Sequence, residues 1–199
     1  YMQYMSGVTD TQVKWTLEYR SDNPGIRDGD MFLANDPWVG AAHQQDVMLI
    51  CPVFWKGELF CWVTNCLHQY DLGGITPSSF CGSAENAFEE GICIPPVKII
   101  ENNEIRRDIE ELYLRCSRKP EAVALDFRAQ LAGNITARDR VLALIKRYGP
   151  GGGEGRDAQD PRQRRARASS RSSSACPTAC GASAATWNAA GRATAAPTR

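Results

Sequence analysis

The stretch VMLICPVFWKGELFCWVTNC at residues 47–66 decides the fold, because two apolar runs of strand length flank a Lys-Gly pair. Runs 47–55 and 58–66 are joined by Lys56-Gly57, which is the two-residue connection of a tight β-hairpin. Both runs are apolar on both faces, which predicts a sheet covered on each side. Pro52 has no backbone donor and favours an edge or a bulge in the first strand.

Further elements are predicted on both sides of this hairpin. A short strand is expected at 31–34, between two turn signals. A Gly-, Thr-, Pro- and Ser-rich loop follows at 72–82, and the two prolines in 94–100 favour an extended segment there. Helices are predicted over about 106–117 and over 120–148, where apolar residues recur at helical spacing. We therefore expect an α+β fold, a mixed β-sheet with a central hairpin followed by C-terminal helices.

The composition changes after Gly149. From Gly151 to the end the chain contains no Leu, Ile, Val, Met, Phe or Tyr, so this segment cannot bury enough apolar surface to offset its chain entropy. We predict a domain over 1–149 and a disordered low-complexity tail over 150–199. Ala, Arg, Gly and Pro are the residues of GC-rich codons, which predicts out-of-frame translation of this tail. A native disordered tail and a basic arm for an anionic partner are the alternatives.

Charge and cysteine usage exclude several classes. The 23 basic and 23 acidic side chains balance, which gives no electrostatic indication of a nucleic-acid or membrane partner. No apolar window is long enough to span a membrane and no secretory signal is visible, so we expect a cytoplasmic protein. The six cysteines before the tail form no Cys-x2-Cys pair, which disfavours a structural zinc site. Their even number permits disulfides, but reduced thiols packed as small hydrophobes fit this compartment better.

The only two histidines begin the same pattern. His43-Gln-Gln-Asp46 and His68-Gln-Tyr-Asp71 are both His-x2-Asp. A turn at 56–57 pairs residues whose numbers sum to about 113, so position 46 is expected opposite 67 and position 45 opposite 68. Both histidines and both aspartates then reach the same open end of the hairpin. Two imidazoles with one or two carboxylates predict a divalent-metal site for Mn, Fe or Zn, and two surface or capping histidines are the alternative.

Three further groups near this end are candidates for chemistry. Glu89 precedes Gly91 by two residues and is a candidate ligand or general base, with a solvated acidic loop as the alternative. Gly73-Gly74 permits close approach of the backbone to a ligand, although no phosphate-binding loop motif follows and no nucleotide site is predicted in this chain. Cys66 lies two residues before His68, and a strand-buried thiol is expected there rather than a nucleophile.

Five blocks in this order resemble the hydantoinase B/oxoprolinase family over roughly residues 1–149. They are GDMFLANDP at 29–37, HQQDV at 43–47, HQYDLGGITP at 68–77, EEGICIPPVK at 89–98 and DFRAQLAGN at 126–134. Within that family the Gln-rich histidine motifs are most similar to those of acetone carboxylase α subunits. Many other members carry a second histidine at the position of Gln69.

The resemblance implies a metal-dependent subunit of an ATP-dependent complex. A separate hydantoinase A-like subunit would bind ATP and phosphorylate the substrate, and a small third subunit is a further implied partner. In acetone carboxylase the metal is manganese, and acetone and bicarbonate give acetoacetate. Hydantoinase and 5-oxoprolinase relatives instead hydrolyse a cyclic amide, so the substrate is expected to be a small carbonyl compound or a cyclic amide.

The resemblance also implies roles for particular residues. Carried over by position, the metal ligands are His43, Asp46 and His68, while Asp71 orients His68 or a bound water. Glu89 stays a candidate for acid–base catalysis. Family subunits extend much further on both sides, so we expect this chain to be a fragment that is inactive alone. A non-catalytic assembly fragment without metal is the rival hypothesis.

Overall fold

The computed structural model describes residues 7–150, and the predicted tail lies outside the described residues except for Pro150. In the described part four α-helices and five strands form one compact unit. The helices are α1 (Thr9–Arg20), α2 (Ala87–Glu90), α3 (Arg107–Arg115) and α4 (Pro120–Tyr148). The strands are β1 (Met31–Ala34), β2 (Asp46–Trp55), β3 (Glu58–His68), β4 (Val97–Glu101) and β5 (Glu104–Ile105).

The five strands form one sheet in the order β3-β2-β1-β4-β5. The α+β class, the hairpin and the C-terminal helices are confirmed. Every pairing among the described strands is antiparallel, so the sheet is not mixed, because β4 returns beside β1 in the opposite direction. The hairpin lies at one end of the sheet with β3 outermost. Burial on both faces is therefore found along β2, from Asp46 to Val53, but not along the edge strand β3.

A β-bulge inside the hairpin sets the register of the site. Lys56 and Gly57 both have positive φ, 54° and 85°, as a two-residue type I′ turn requires. Next to the turn Phe54 pairs with Leu59, in the predicted register, but the following pair is Val53 with Cys61. Phe60 is thus an extra residue in β3, the two-against-one arrangement of a bulge.

Beyond the bulge every pair is shifted by one residue, and Asp46 lies directly opposite His68. The predicted register, with position 46 opposite 67, was wrong for this reason. The shift matters because a one-residue slip moves a side chain to the other face of the sheet. With the bulge, the Asp46 and His68 side chains share one face.

The apolar core fills the space between the sheet and helices α3 and α4. Phe127 and Val123 of α4 and Tyr113 of α3 are fully buried against Leu49 and Leu33 of the sheet. The Tyr113 and Phe127 rings meet edge to face with centroids 6.3 Å apart. Helix α4 is thus a packing element, and its period of apolar residues made it predictable.

Buried amides join α4 to the sheet. The Gln130 side-chain Nε2 donates to the Val47 carbonyl at 2.9 Å, and the Asn134 Nδ2 donates to the Leu49 carbonyl at 2.8 Å. Asn65 of β3 bridges them, donating to the Gln130 carbonyl and to the Asn134 Oδ1. Gln130 and Asn134 are one helical turn apart and therefore share a face. This arrangement accounts for Gln130 and Asn134 in the block at 126–134.

Helix α1 was not predicted. Its two buried residues, Gln12 and Thr16, are polar, so the stretch has no apolar period to reveal a helix. It packs beside the short 3-10 turn Pro37–Val39. Gly40 ends that turn with φ of 110°, and a Cβ there would lie 2.9 Å from the Val8 carbonyl oxygen. Among the described residues no helix is both long and apolar enough to cross a membrane.

Candidate metal centre

Three elements bring the histidines and Asp46 together. Asp46 is the first residue of β2 and His68 is the last residue of β3, so the hairpin pairs them at its open end. His43 lies in the turn that leads into β2, where its carbonyl accepts a hydrogen bond from the Asp46 N–H at 3.1 Å. The convergence predicted from the two His-x2-Asp motifs is thus found for three of their four residues.

The three side chains form a tight cluster. Asp46 Oδ1 lies 3.0 Å from His68 Nδ1, and Asp46 Oδ2 lies 3.6 Å from His43 Nε2. The two imidazole rings meet edge to face with centroids 4.9 Å apart. One potential ligand atom from each residue lies within 4.8 Å of the others, the spacing of a site for one metal ion. The Asp46 side chain is fully buried, while those of His43 and His68 are 20% and 36% exposed.

The donor set fits a divalent cation. Asp46 Oδ2 and His43 Nδ1 are buried and have no hydrogen-bond partner. A buried carboxylate with an unpartnered oxygen is costly unless a cation compensates it. Two imidazole nitrogens and one carboxylate oxygen suit manganese, iron or zinc, and they leave positions for water or a substrate oxygen.

A buried asparagine holds the His43–Asp46 turn in place. Asn35, at the end of β1, donates through Nδ2 to the Gln44 carbonyl at 2.7 Å and to the Ile92 carbonyl at 2.9 Å. Its Oδ1 accepts the Ile94 N–H at 2.6 Å. Asn35 therefore ties the turn before β2 to the segment before β4. This role of Asn35 was not predicted from the sequence, since a contact across 59 residues leaves no local signal.

The two glutamines of the His43–Asp46 motif also have structural roles. Gln44 Nε2 donates to the Ala87 carbonyl at 2.5 Å, and Gln45 Nε2 donates to the Glu90 carbonyl at 2.8 Å. Both side chains are buried. They attach helix α2 to the turn that carries His43.

Asp71 lies outside the cluster. Its Oδ1 accepts the N–H groups of Gly73 and Arg118, and its Oδ2 accepts Arg118 Nη1 at 2.8 Å. Burial raises the pKa of the Asp71 carboxyl, but these hydrogen bonds and the Arg118 charge outweigh it and hold that pKa below its usual value. The hydrogen bonds of Asp71 thus join it to Arg118 and to Gly73 rather than to His68. The predicted role of Asp71 toward His68 stays a prediction.

Arg118 was not predicted as a site-supporting residue. It lies between α3 and α4 and donates to the carbonyls of Gly73 and Gly74 as well as to Asp71. Gly74 also permits a close backbone approach, because a Cβ there would lie 2.7 Å from the Glu90 carbonyl oxygen. The close approach expected at the glycine pair is therefore to the chain itself.

Glu89 likewise forms no part of the cluster. Its carboxylate accepts the Glu85 N–H at 2.9 Å and Asn86 Nδ2 at 2.8 Å, at the beginning of α2. The carboxylate therefore holds the two residues that precede α2, including Asn86, whose side chain caps the helix by accepting the Phe88 N–H. Its role as a ligand or general base stays a prediction.

Cys66 carries a protonated thiol at neutral pH. It lies opposite Met48 in the hairpin, and burial together with the charge of Asp46 raises the pKa of its thiol to about 12. A thiol so far from ionising is a poor nucleophile. The expectation of a non-nucleophilic thiol in a strand agrees with this, although the residue is half-buried rather than fully buried. The six cysteines of the described part are all free.

The fold and this cluster define an α+β protein with a histidine–carboxylate site at the open end of a hairpin. The chain belongs to the hydantoinase B/oxoprolinase family, whose sequence model matches residues 1–172. The acetophenone carboxylase delta subunit of Aromatoleum aromaticum is 35% identical over 138 residues, which are 69% of this chain and 20% of that protein.

Two solved structures are similar to this chain. The nucleotide-free structure of acetone carboxylase matches with a TM-score of 0.69 and 31% identity, over 72% of this chain and 19% of that one. The ATP-dependent caprolactamase of Pseudomonas jessenii matches with a TM-score of 0.63 and 28% identity, over 71% of this chain and 25% of that one. This chain thus spans about a fifth to a quarter of the length of these relatives. The family comprises subunits of ATP-dependent carboxylases and amide hydrolases.

Proposed function

We propose that this chain is the metal-binding part of an ATP-dependent carboxylase of the acetone carboxylase kind. His43, Asp46 and His68 would hold the cation, with manganese as the first candidate and zinc or iron as alternatives. The buried, unpartnered Oδ2 of Asp46 between two imidazoles carries this proposal. Such an arrangement is costly as a purely structural device, because Oδ2 has lost its water and gains no hydrogen bond in exchange.

The metal would supply Lewis-acid polarisation of a substrate carbonyl oxygen. The chain's own residues keep the ligands in position. The Asp46 carboxylate fixes the His68 ring through Nδ1, and Asn35 fixes the turn of His43. Asp71 acts through Arg118 on the loop that follows His68, and Glu89 is the candidate general base.

The reaction requires partners. We propose a hydantoinase A-like subunit that binds ATP and activates the substrate, and a small third subunit. Two relatives that are named as subunits support these partners. They are the delta subunit of acetophenone carboxylase and the beta subunit of caprolactamase. The proposed substrates are a small ketone and bicarbonate. We place the complex in the cytoplasm, in keeping with the free thiols of the described residues.

A cyclic amide hydrolase is the second candidate, favoured by the likeness to the caprolactamase. ATP turnover by the reconstituted complex separates the two: stimulation by acetone with bicarbonate supports the carboxylase, and stimulation by hydantoin or caprolactam supports the hydrolase. The rival of a non-catalytic assembly fragment predicts turnover with neither, and no bound metal.

Metal analysis of the chain tests the site directly. The purified chain is loaded with manganese, dialysed and analysed by mass spectrometry beside the His68→Ala and Glu58→Gln variants. We expect one ion per chain in the wild type and in Glu58→Gln, whose carboxylate is exposed at the far end of the hairpin. His68→Ala should lose the ion. Unchanged manganese in His68→Ala would refute the assignment.

A further inference from the structure

One backbone segment is bonded to both of the loops that carry the histidines. We name residues 87–92 the bridging segment. From the turn that leads into β2, Gln44 Nε2 donates to the Ala87 carbonyl at 2.5 Å. Gln45 Nε2 donates to the Glu90 carbonyl at 2.8 Å. Both glutamines stand between the two potential ligands of this turn, so the bridging segment holds the turn at two points.

The loop that follows His68 is bonded to the same segment. The Ile92 N–H donates to the Leu72 carbonyl at 3.0 Å. The Ile75 N–H donates to the Glu89 carbonyl, also at 3.0 Å. Leu72 is fully buried, so close packing resists any movement of this loop. The bridging segment therefore joins the two ligand-bearing loops.

Gly91 lies where the bridging segment meets the loop after His68. Its φ of 141° and ψ of −162° belong to a backbone conformation that is open to glycine almost alone. A Cβ at this position would lie 2.7 Å from the Leu72 carbonyl oxygen and 3.2 Å from the Leu72 carbonyl carbon. Both contacts are with backbone, which cannot rotate away as the end of a flexible side chain can. A side chain at position 91 would therefore push the bridging segment away from the loop.

We propose that Gly91 is a positioning residue that sets the separation of the His43 and His68 rings. The hairpin pairs His68 with Asp46, whereas His43 precedes β2 and lies outside the strands. The distance between the two rings therefore depends on the segment to which both loops are bonded. This inference rests on the proposed function, because the two imidazoles must lie close together to hold one cation.

The two histidine rings supply a measurement that needs no metal. Their centroids are 4.9 Å apart, close enough for a nuclear Overhauser effect between ring protons, and the chain has no other histidine. We expect this effect in the metal-free full chain and a several-fold loss of it in Gly91→Ala. Gly133→Ala is the matched control and should leave the effect unchanged. A Cβ at position 133 would lie 3.5 Å from its nearest contact, Asn65 Nδ2, an ordinary van der Waals distance.

Manganese affinity tests the consequence for the site. Gly91→Ala should weaken manganese binding by more than about tenfold, since indirect partners of a metal are worth about 10–100-fold. Val53→Ala separates positioning from a general loss of stability. Val53 is fully buried and lies seven positions along β2 from Asp46, so this variant should be less stable but keep the affinity of the wild type.

A second variant acts on the other side of the bridging segment. Gln45→Met keeps similar bulk but removes the hydrogen bond to the Glu90 carbonyl. It should weaken both the Overhauser effect and manganese binding, in the same direction as Gly91→Ala. If Gly91→Ala does not fold, Gln45→Met decides.

The outcomes separate this inference from the proposed function. An unchanged Overhauser effect and unchanged manganese affinity in the deciding variant would overturn the role of Gly91 alone. Equal losses in Val53→Ala would overturn it too, because stability would then account for the effect. A wild-type chain that retains no manganese, but whose Overhauser effect is lost in Gly91→Ala, would overturn the proposed function and support Gly91 as the residue that sets the ring separation.

Discussion

Asp46 faces His68 across the hairpin because Phe60 is an extra residue in β3. The two-residue turn alone would place position 46 opposite 67, and the two side chains would then lie on opposite faces of the sheet. The bulge restores a shared face. Bulges commonly redirect a side chain beside a functional site.

This relationship predicts how the hairpin tolerates length changes. Inserting one alanine between Thr64 and Asn65 would move His68 opposite position 45 and onto the other face. We expect manganese affinity to fall by more than about tenfold, since even indirect partners of a metal are worth about 10–100-fold. Titration followed by electron paramagnetic resonance of free manganese measures it.

Deleting Phe60 is the matched control. It removes the bulge but leaves Val53 opposite Cys61, so Asp46 still faces His68. We expect manganese binding close to that of the wild type. Loss of binding in the deletion, with retention in the insertion, would contradict the role assigned to the bulge. Circular dichroism checks that both chains keep their sheet.

Replacing the buried carboxylate should have opposite effects with and without metal. Asp46→Asn keeps the shape but removes the charge, so the chain should lose manganese. Without metal the variant should be more stable than the wild type by about 1–3 kcal/mol, because a buried charge with an unpartnered oxygen is gone. Denaturant unfolding with chelator and with manganese measures both. A destabilised metal-free variant would mean that Asp46 is satisfied by the protein alone.

The ion pair of Asp71 and Arg118 predicts an acid dependence of stability. The pKa of Asp71 is lower in the folded chain than in the unfolded chain. Its contribution is therefore fully present above the unfolded pKa, near pH 4, and is lost as pH falls through the folded pKa. Between pH 7 and pH 5 the contribution of Asp71 to the free energy of unfolding should stay constant.

Asp71→Asn is the variant to compare. It should be less stable than the wild type at pH 7, and the difference should shrink below about pH 4. Thermal unfolding at pH 7, 5 and 3 measures the difference. A gap that stays constant down to pH 3 would show that the pair contributes through shape rather than charge.

The predictable parts of the fold are those with a local pattern. The Lys56-Gly57 turn and the apolar period of α4 located their elements from the sequence. Helix α1 was not predicted because its buried residues, Gln12 and Thr16, are polar. The bulge at Phe60 was not predicted because no residue type in β3 requires a bulge.

The candidate site was likewise predictable only where the sequence carries a local pattern. The two His-x2-Asp motifs revealed His43, Asp46 and His68 because their spacing repeats along the chain. The contact of Arg118 with Asp71 was not predicted because Asp71 lies 47 residues earlier in the chain. Side chains that act on the loops around the cluster from a distant part of the sequence leave no local signal, and only the folded chain identifies them.

Gln130 offers a test of how the long helix holds the hairpin. Its Nε2 donates to the Val47 carbonyl and to Asn65 Oδ1, and the residue is only 4% exposed. Gln130→Leu keeps similar bulk but leaves both acceptors without this donor, so we expect a loss of about 1–3 kcal/mol in the free energy of unfolding. Thr136→Ala, on the exposed side of α4, is the control and should change stability by less than about 0.5 kcal/mol. Since Val47 follows Asp46 directly, manganese affinity should also fall in Gln130→Leu. Unchanged stability in that variant would show that apolar packing alone holds α4 against the sheet.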